Sequence, residues 1–290
     1  MPPGVHTPDS IATQVARWRP LPAPLFEVLA LRWPDPDVVP RLAAIIEADS
    51  DLARRLRVMG AATGRFQNDG ELDVMQSVAQ VGFRPVHSGV IAALVIDTLA
   101  ATSNTIDFLT YWRRSAACAT LASTLADRQR MGRALAYPAG LLHRVGLLAL
   151  DMAAPEALAE LREAVAERGL TSQLEEEILG FTIGEVTAAL HVRWKLPVEL
   201  AETHLVVGHP EMWATRPVAR VVWQAIEALD ALGIEDPLTG IPERTDLAPE
   251  AAYVLGRYFG GGKGLIEQSE RLIAACMLAA EPEAEPDEAP

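Results

Sequence analysis

Cysteine is scarce in this chain. Only Cys118 and Cys276 occur among 290 residues, which is too few for a disulfide framework or for a zinc site built from several cysteines. Both lie in apolar segments with a helical pattern, where buried thiols are common. The scarcity is typical of the reducing cytoplasm, and we expect the protein to be located there.

Long apolar runs are also missing. The most apolar run, Val90 to Ala101, is interrupted by Asp97 and is shorter than the ~20 residues that a membrane-spanning helix needs. The N-terminus carries prolines and charges where a secretory signal would have an apolar core of roughly 7 to 15 residues. The sequence therefore predicts neither membrane insertion nor export.

Positively charged residues are fewer than negatively charged ones. The 25 Lys and Arg residues are outnumbered by 39 Asp and Glu residues, which gives a formal net charge of −14. Proteins gain affinity for nucleic acids when Lys and Arg displace counterions from the phosphates, so no nucleic-acid partner is expected. Arg54, Arg55 and Arg57 stand at helical spacing. We expect them on a solvated face or in ion pairs with acids.

The motifs of several enzyme classes are absent. Neither G-x-S-x-G nor H-E-x-x-H occurs, so those hydrolase mechanisms have no support. The run FGGGKG at 259–264 superficially resembles a phosphate-binding loop, but Gly264 stands where Ser or Thr would follow the lysine. Because glycines commonly end helices, we expect this run to connect two helices.

Alternating strand-like patterns are nearly absent, whereas apolar residues recur at spacings of three and four. This pattern predicts an all-α protein. The acidic, proline-rich residues 281–290 are predicted to be a disordered tail. The predicted helices cover residues 22–33, 37–48, 50–62, 72–82, 85–101, 106–130, 134–151, 155–168, 172–193, 197–207, 215–231, 248–259 and 263–279.

One apolar segment carries a polar pair. In AGLLHRVGLLAL, residues 139–150, His143 is followed directly by Arg144. On a helix wheel Arg144 points nearly opposite Leu142, toward solvent or toward a cleft between neighbouring helices. A metal site here would need a carboxylate at this position, because divalent cations bind anionic oxygen and are repelled by a fixed positive charge.

This segment resembles the HDOD family, a bacterial signalling branch of the HD phosphohydrolase superfamily. The resemblance rests on residues 137–150 and 175–210. They include GLLH with a glycine three residues after the histidine, a glutamate-rich start before ILGF, and W-x-L-P followed by a helix that ends at HP. The helix FLTYWRRSAACATLAS at 108–123 resembles the family's Trp-x-His-Ser helix.

The resemblance implies a compact, multi-helix, HD-like bundle over residues 18–210. Residues 1–17 would then be an N-terminal extension. Residues 211–280 would form an additional C-terminal helical region packed on the same domain.

In the HD superfamily, histidine and aspartate residues hold a metal ion that activates water for phosphoester hydrolysis. Carried onto this sequence, the first histidine falls on Arg114 and the His-Asp pair falls on His143 and Arg144. The third histidine falls near Ile183, in an apolar stripe, and only His209 remains of the closing histidine pair. Two imidazoles beside two arginines cannot hold a catalytic metal, so we expect no metal and no cofactor.

The resemblance therefore implies a non-catalytic bacterial signalling protein that acts on a regulatory protein partner. A second hypothesis treats Arg114, His143, Arg144 and His209 as an anion pocket for a nucleotide such as a cyclic dinucleotide. A third is a divergent metal-dependent phosphodiesterase. The simplest interpretation of both arginines is that they are solvated or paired with carboxylates of the same chain.

Overall fold

The computed structural model describes residues 6–32, 35–62, 73–99, 105–131, 133–242 and 245–277. Within these ranges the chain forms helices and no strand, apart from an isolated antiparallel bridge between Asp236 and Gly240. The predicted all-α fold is confirmed. The predicted tail, residues 281–290, lies outside the described residues.

The helices are separated mostly by short turns. A 3₁₀ turn covers Pro210–Met212, and a π-helical turn, Leu255–Phe259, continues directly from α15. In chain order the α-helices are α1 Pro8–Trp18, α2 Ala23–Ala30, α3 Val38–Glu47, α4 Ser50–Ala62, α5 Val74–Val81, α6 Phe83–Leu99, α7 Phe108–Gln129, α8 Arg133–Leu141, α9 Val145–Ala153, α10 Pro155–Arg168, α11 Ser172–Leu179, α12 Ile183–Arg193, α13 Val198–Val206, α14 Pro217–Ala231, α15 Pro249–Val254 and α16 Gly262–Met277.

Helix α1 was not predicted. It begins with a capping box, in which the Thr7 hydroxyl accepts the Ser10 N–H and the Ser10 hydroxyl accepts the Thr7 N–H. Its buried face packs on α12 and α9. The indole N–H of Trp194, at the end of α12, donates to the Arg19 carbonyl at 2.8 Å. Helix α1, within the predicted N-terminal extension and just after it, therefore contributes to the core.

Two predicted helices are each divided in two. The predicted helix 134–151 breaks between α8 and α9, and the predicted helix 172–193 breaks between α11 and α12. The second break has a local cause, because Gly180 adopts φ = 80°, a left-handed conformation that ends α11. Thr182 and Glu185 then form the capping box that starts α12.

Helix α7 lies at the centre of the fold. It packs against α8, α14 and α16, and its buried side is rich in alanine. These small residues allow close helix contact, since a Cβ added at Gly140 of α8 would lie 2.6 Å from the Ala119 Cα. The C-terminal helices α14 and α16 thus cover the helix that carries Arg114.

The glycine-rich run confirms its predicted role as a helix connection. Gly260 and Gly261 have φ values of 69° and 111°, which favour glycine, and they join the π-helical turn to α16. Two of the three clustered arginines pair with acids: Arg54 with Asp51 at the surface, and the buried Arg55 with Asp97 at 2.8 Å.

No single helix in the described ranges is both long and apolar enough to span a bilayer. Helices α5 and α6 meet that test only as a pair, and they are bent by 111° at their junction.

Candidate functional site

The turn between α8 and α9 positions the His-Arg pair. Helix α8 ends at Leu141, and Arg144 is the N-cap of α9 with non-helical φ and ψ values of −122° and 21°. The Val145 N–H donates to the Leu142 carbonyl at 3.1 Å and closes the turn. Because the helix breaks here, the helix-wheel position of Arg144 does not apply. His143 is buried, and the Arg144 side chain is only 17% exposed.

Arg114 of α7 is the second arginine of the site, and its side chain is only 4% exposed. Its Nη1 donates to the Ile234 carbonyl at 2.7 Å, and its Nη2 contacts Oδ1 of Asp230 at 2.5 Å. Its Nε lies 3.2 Å from Oδ2 of Asp236. The same Asp236 oxygen also pairs with Nη1 of Arg144. One buried carboxylate is therefore shared by both arginines.

Asp236 lies in the turn that follows α14. Its Oδ1 accepts the N–H groups of Leu238 at 2.9 Å and Thr239 at 3.1 Å, and its backbone bridges to Gly240. Burial alone would raise the pKa of Asp236, but the charges of Arg144 and Arg114 and the two N–H donors outweigh burial and lower it. Asp236 is therefore ionised and acts as the internal counterion of both arginines.

A second buried acid, Glu175, lies within the electrostatic reach of Arg144. Its Oε2 accepts the N–H of Ile183, the first residue of α12, at 3.0 Å. Burial raises the pKa of Glu175, although the Ile183 N–H and the charge of Arg144 act in the opposite direction. Ile183 itself is buried with Val186 on α12, so an apolar side chain lies near the position where the resemblance implied the third histidine.

His143 and His204 are neutral buried imidazoles. Nδ1 of His143 donates to the Gly140 carbonyl at 2.7 Å, and burial, together with Arg144 and Arg114, lowers the pKa of His143 to about 3. The proximity of His204, on α13, lowers the pKa of His143 further, because the two imidazoles cannot easily both be protonated. Burial lowers the pKa of His204 to about 3 as well, and its ring packs edge-on against His191 with centroids 4.9 Å apart.

His209 lies apart from this cluster. Its side chain is 60% exposed, and its Nδ1 contacts Oε1 of Glu211 at 3.1 Å just after α13. The structure thus brings together Arg114, His143 and Arg144 of the predicted set, and it places His204, five residues before His209, where the pattern led us to expect His209. His204 lies on the buried side of α13, whereas His209 lies beyond the end of that helix and is exposed. The end of α13 had to be known to tell the two histidines apart.

The residues present do not fit the metal of the HD superfamily. No three His, Cys, Asp or Glu side chains in the described ranges are grouped so that they could hold an ion. The guanidinium groups of Arg114 and Arg144 both contact Asp236, whose side chain is only 2% exposed. A divalent cation would have to displace these positive charges, which is electrostatically unfavourable.

The buried histidines predict a pH dependence of stability. Because the pKa values of His143 and His204 are near 3 in the folded protein and 6.5 ordinarily, the unfolded chain takes up protons first as the pH falls. The free energy of unfolding should decrease below pH 6.5, by up to ~1.4 kcal/mol per pH unit for each histidine. Urea unfolding between pH 7 and pH 5 measures this slope. The variant His204→Asn should have a slope smaller by about one proton, and an unchanged slope would contradict the assignment.

The comparisons with known proteins agree with this architecture. A sequence model of the HDOD domain matches residues 20–210. The crystal structure of an HDOD domain protein of unknown function from Geobacter sulfurreducens superimposes with a TM-score of 0.70 at 19% identity, covering 96% of this chain and 99% of that one. At this identity the likeness describes the fold alone.

Two further crystal structures give the same result. A putative signal transduction protein from Marinobacter aquaeolei VT8 has a TM-score of 0.67 at 22% identity, covering 90% of this chain and 60% of that one. A putative phosphohydrolase from Shewanella amazonensis SB2B has a TM-score of 0.67 at 21% identity, covering 93% and 100%.

A curated relative is also similar in sequence. This is an uncharacterized protein of Treponema pallidum (strain Nichols), 28% identical over 243 residues, or 80% of this chain. The chain spans about half the length of that relative, namely 46%. Because the HDOD model matches well over half of the chain, the resemblance found in the sequence is confirmed: this protein belongs to the HDOD domain family.

Proposed function

We propose that this HDOD protein is a non-catalytic bacterial signalling protein whose former metal site has become a structural ion-pair cluster. The observation that carries the proposal is the Asp236 carboxylate, which contacts both Arg114 and Arg144. The cluster is complete within the chain, and it needs neither a metal nor a bound anion for charge balance.

The charge count supports this proposal. Arg114 and Arg144 contribute two positive charges, and Asp230 and Asp236 contribute two negative ones. Ile234, Asp230 and Asp236 all lie beyond residue 210, where the HDOD match ends. The C-terminal region of this chain therefore supplies the groups that neutralise the arginines at the former metal positions.

The same contacts weigh against a nucleotide in this site. A phosphate would have to displace Asp236 from two guanidinium groups, and the displaced carboxylate would remain buried without its partners. The turn N–H groups of Leu238 and Thr239 hold the carboxylate in place. The cyclic-dinucleotide hypothesis at these arginines therefore receives no specific support, and neither does the metal phosphodiesterase.

We further propose that the protein signals through a regulatory protein partner in the cytoplasm. Exposed apolar side chains on α13 support a contact surface. Val198 and Leu205 are both exposed, and seven residues apart on one helix they lie on the same side. Partner capture with wild-type protein and with Leu205→Glu, followed by mass spectrometry, should identify a protein that only the wild type retains.

A hydrolysis assay tests the non-catalytic part of the proposal. Purified protein supplied with Mn²⁺, Fe²⁺ or Zn²⁺ and bis(4-nitrophenyl) phosphate is expected to release 4-nitrophenol no faster than the metal alone, because no water-activating metal can be held. Metal-dependent turnover that disappears in His143→Ala, with the variant still folded by circular dichroism, would show that the proposal is wrong.

A further inference from the structure

A second polar site lies away from the arginine cluster. A cleft of about 130 Å³ is bounded by the C-terminal end of α2 and by α6, α7 and α8. Its lining includes Arg32, Arg84, Ser88 and Ser123 and shares no residue with the ion-pair cluster. A water molecule needs roughly 10–15 Å³ by the same measure, so the cleft has room for a small molecule.

Positive charge dominates this cleft. Nη1 of Arg32 donates to the carbonyls of Leu29 at 2.5 Å and Leu31 at 3.2 Å, and Arg32 has no ion pair with any described residue. Arg84 pairs with Asp127, which also lines the cleft. Two guanidinium groups and one carboxylate leave a net positive charge on a chain whose formal charge is −14. Such a cleft attracts anions.

The remaining walls offer stacking and hydrogen bonding. The rings of Phe83 and His87 lie 5.2 Å apart at 31° and form part of the lining. His87 donates from Nε2 to the Val28 carbonyl at 2.9 Å, which fixes its ring. Ser88 and Ser123 bring hydroxyl groups from α6 and α7. The buried hydroxyl of Tyr137, a further lining residue, has no hydrogen-bond partner in the described ranges.

We propose that this cleft binds a small phosphate ester with a flat, apolar body. The guanidinium groups of Arg32 and Arg84 and the hydroxyls of two different helices suit the several oxygens of a phosphate. The Phe83 ring suits the flat body. The Asp127 carboxylate weakens binding of the phosphate ester, because it repels the anionic phosphate and occupies the guanidinium group of Arg84. Asp127 therefore limits the affinity of the cleft.

Isothermal titration calorimetry with phenyl phosphate tests the proposal at constant ionic strength. We expect saturable binding to the wild type, weaker binding of inorganic phosphate, and still weaker binding of benzoate. Arg32→Gln should weaken phenyl phosphate binding at least about tenfold, since a charged hydrogen-bond donor is lost. The matched control Arg220→Gln, which changes an exposed arginine of α14 outside the cleft, should bind as the wild type does.

Asp127→Asn provides the opposite test. It removes the competing carboxylate and releases Arg84, so it should strengthen phenyl phosphate binding by roughly three- to tenfold. A purely structural role of Asp127 would not produce a gain. The proposal is overturned if wild type and Asp127→Asn both show no binding at millimolar concentration, if Arg32→Gln binds like the wild type, or if benzoate binds as tightly as phenyl phosphate. None of these results bears on the non-catalytic proposal, which concerns other residues.

Discussion

Replacing Asp236 with asparagine is expected to lower the free energy of unfolding by about 3–5 kcal/mol, because two buried guanidinium groups lose their shared counterion. Asparagine has nearly the same shape, and its side-chain oxygen can still accept the N–H groups of Leu238 and Thr239. The change therefore removes the charge while it preserves the turn. Urea unfolding at neutral pH measures the loss.

Asp230→Asn is the matched control. Asp230 also pairs with Arg114, but its side chain is 43% exposed, and water can replace much of its interaction. We expect this variant to lose about 1 kcal/mol or less. Adding Arg144→Met to Asp236→Asn should restore part of the lost stability, since it removes one of the charges left unpaired. Equal losses in the two single variants would contradict a central role of Asp236.

Gly146→Ala should lower the free energy of unfolding by about 2–4 kcal/mol, because the added methyl group overpacks the contact between α9 and α12. A Cβ at this position would lie 2.5 Å from the Ile183 carbonyl oxygen and 2.6 Å from Oγ1 of Thr187. The hydrogen bond from the Gly146 N–H to that Thr187 oxygen, 3.0 Å long, would also be strained. Thermal and urea unfolding measure the effect.

Gly208→Ala controls for the general effect of replacing a glycine. A Cβ at Gly208 would meet nothing within 4 Å, so its effect should stay within about 0.5 kcal/mol. If Gly146→Ala is as mild as this control, the close contact between α9 and α12 is not the reason for glycine three residues after His143. That glycine would then need another explanation.

Much of the fold follows from local sequence signals. Apolar spacing and the prolines and glycines predicted the helix order from α2 to α16. Two helix starts that the sequence analysis did not predict also have local signals. The capping boxes at Thr7 and Thr182 are visible in the sequence, but the first was read as part of an extension and the second lay inside a continuous apolar pattern. The break at 142–144 has no such signal, and α9, which follows the break, packs on α12.

The site was less accessible to prediction. Family spacing identified Arg114, His143 and Arg144, which the structure brings together. It could not identify Asp236, because this residue is 92 positions from Arg144 and lies in a turn without any motif. The simplest interpretation of the arginines, pairing with carboxylates of the same chain, matches the contacts that they make.

Arg114 and Arg144 therefore have a shared counterion elsewhere in the chain. Asp236 balances positive charge of both Arg114 and Arg144. This arrangement links the HDOD match, residues 20–210, to the segment that follows it through the ion-pair cluster.

Metal content tests this account most directly. Untagged protein is equilibrated with Mn²⁺, Fe²⁺ and Zn²⁺, dialysed and examined by inductively coupled plasma mass spectrometry. We expect well under one ion per chain for each metal, and no difference between the wild type and His143→Ala. One tightly held ion per chain that is lost in His143→Ala would contradict it.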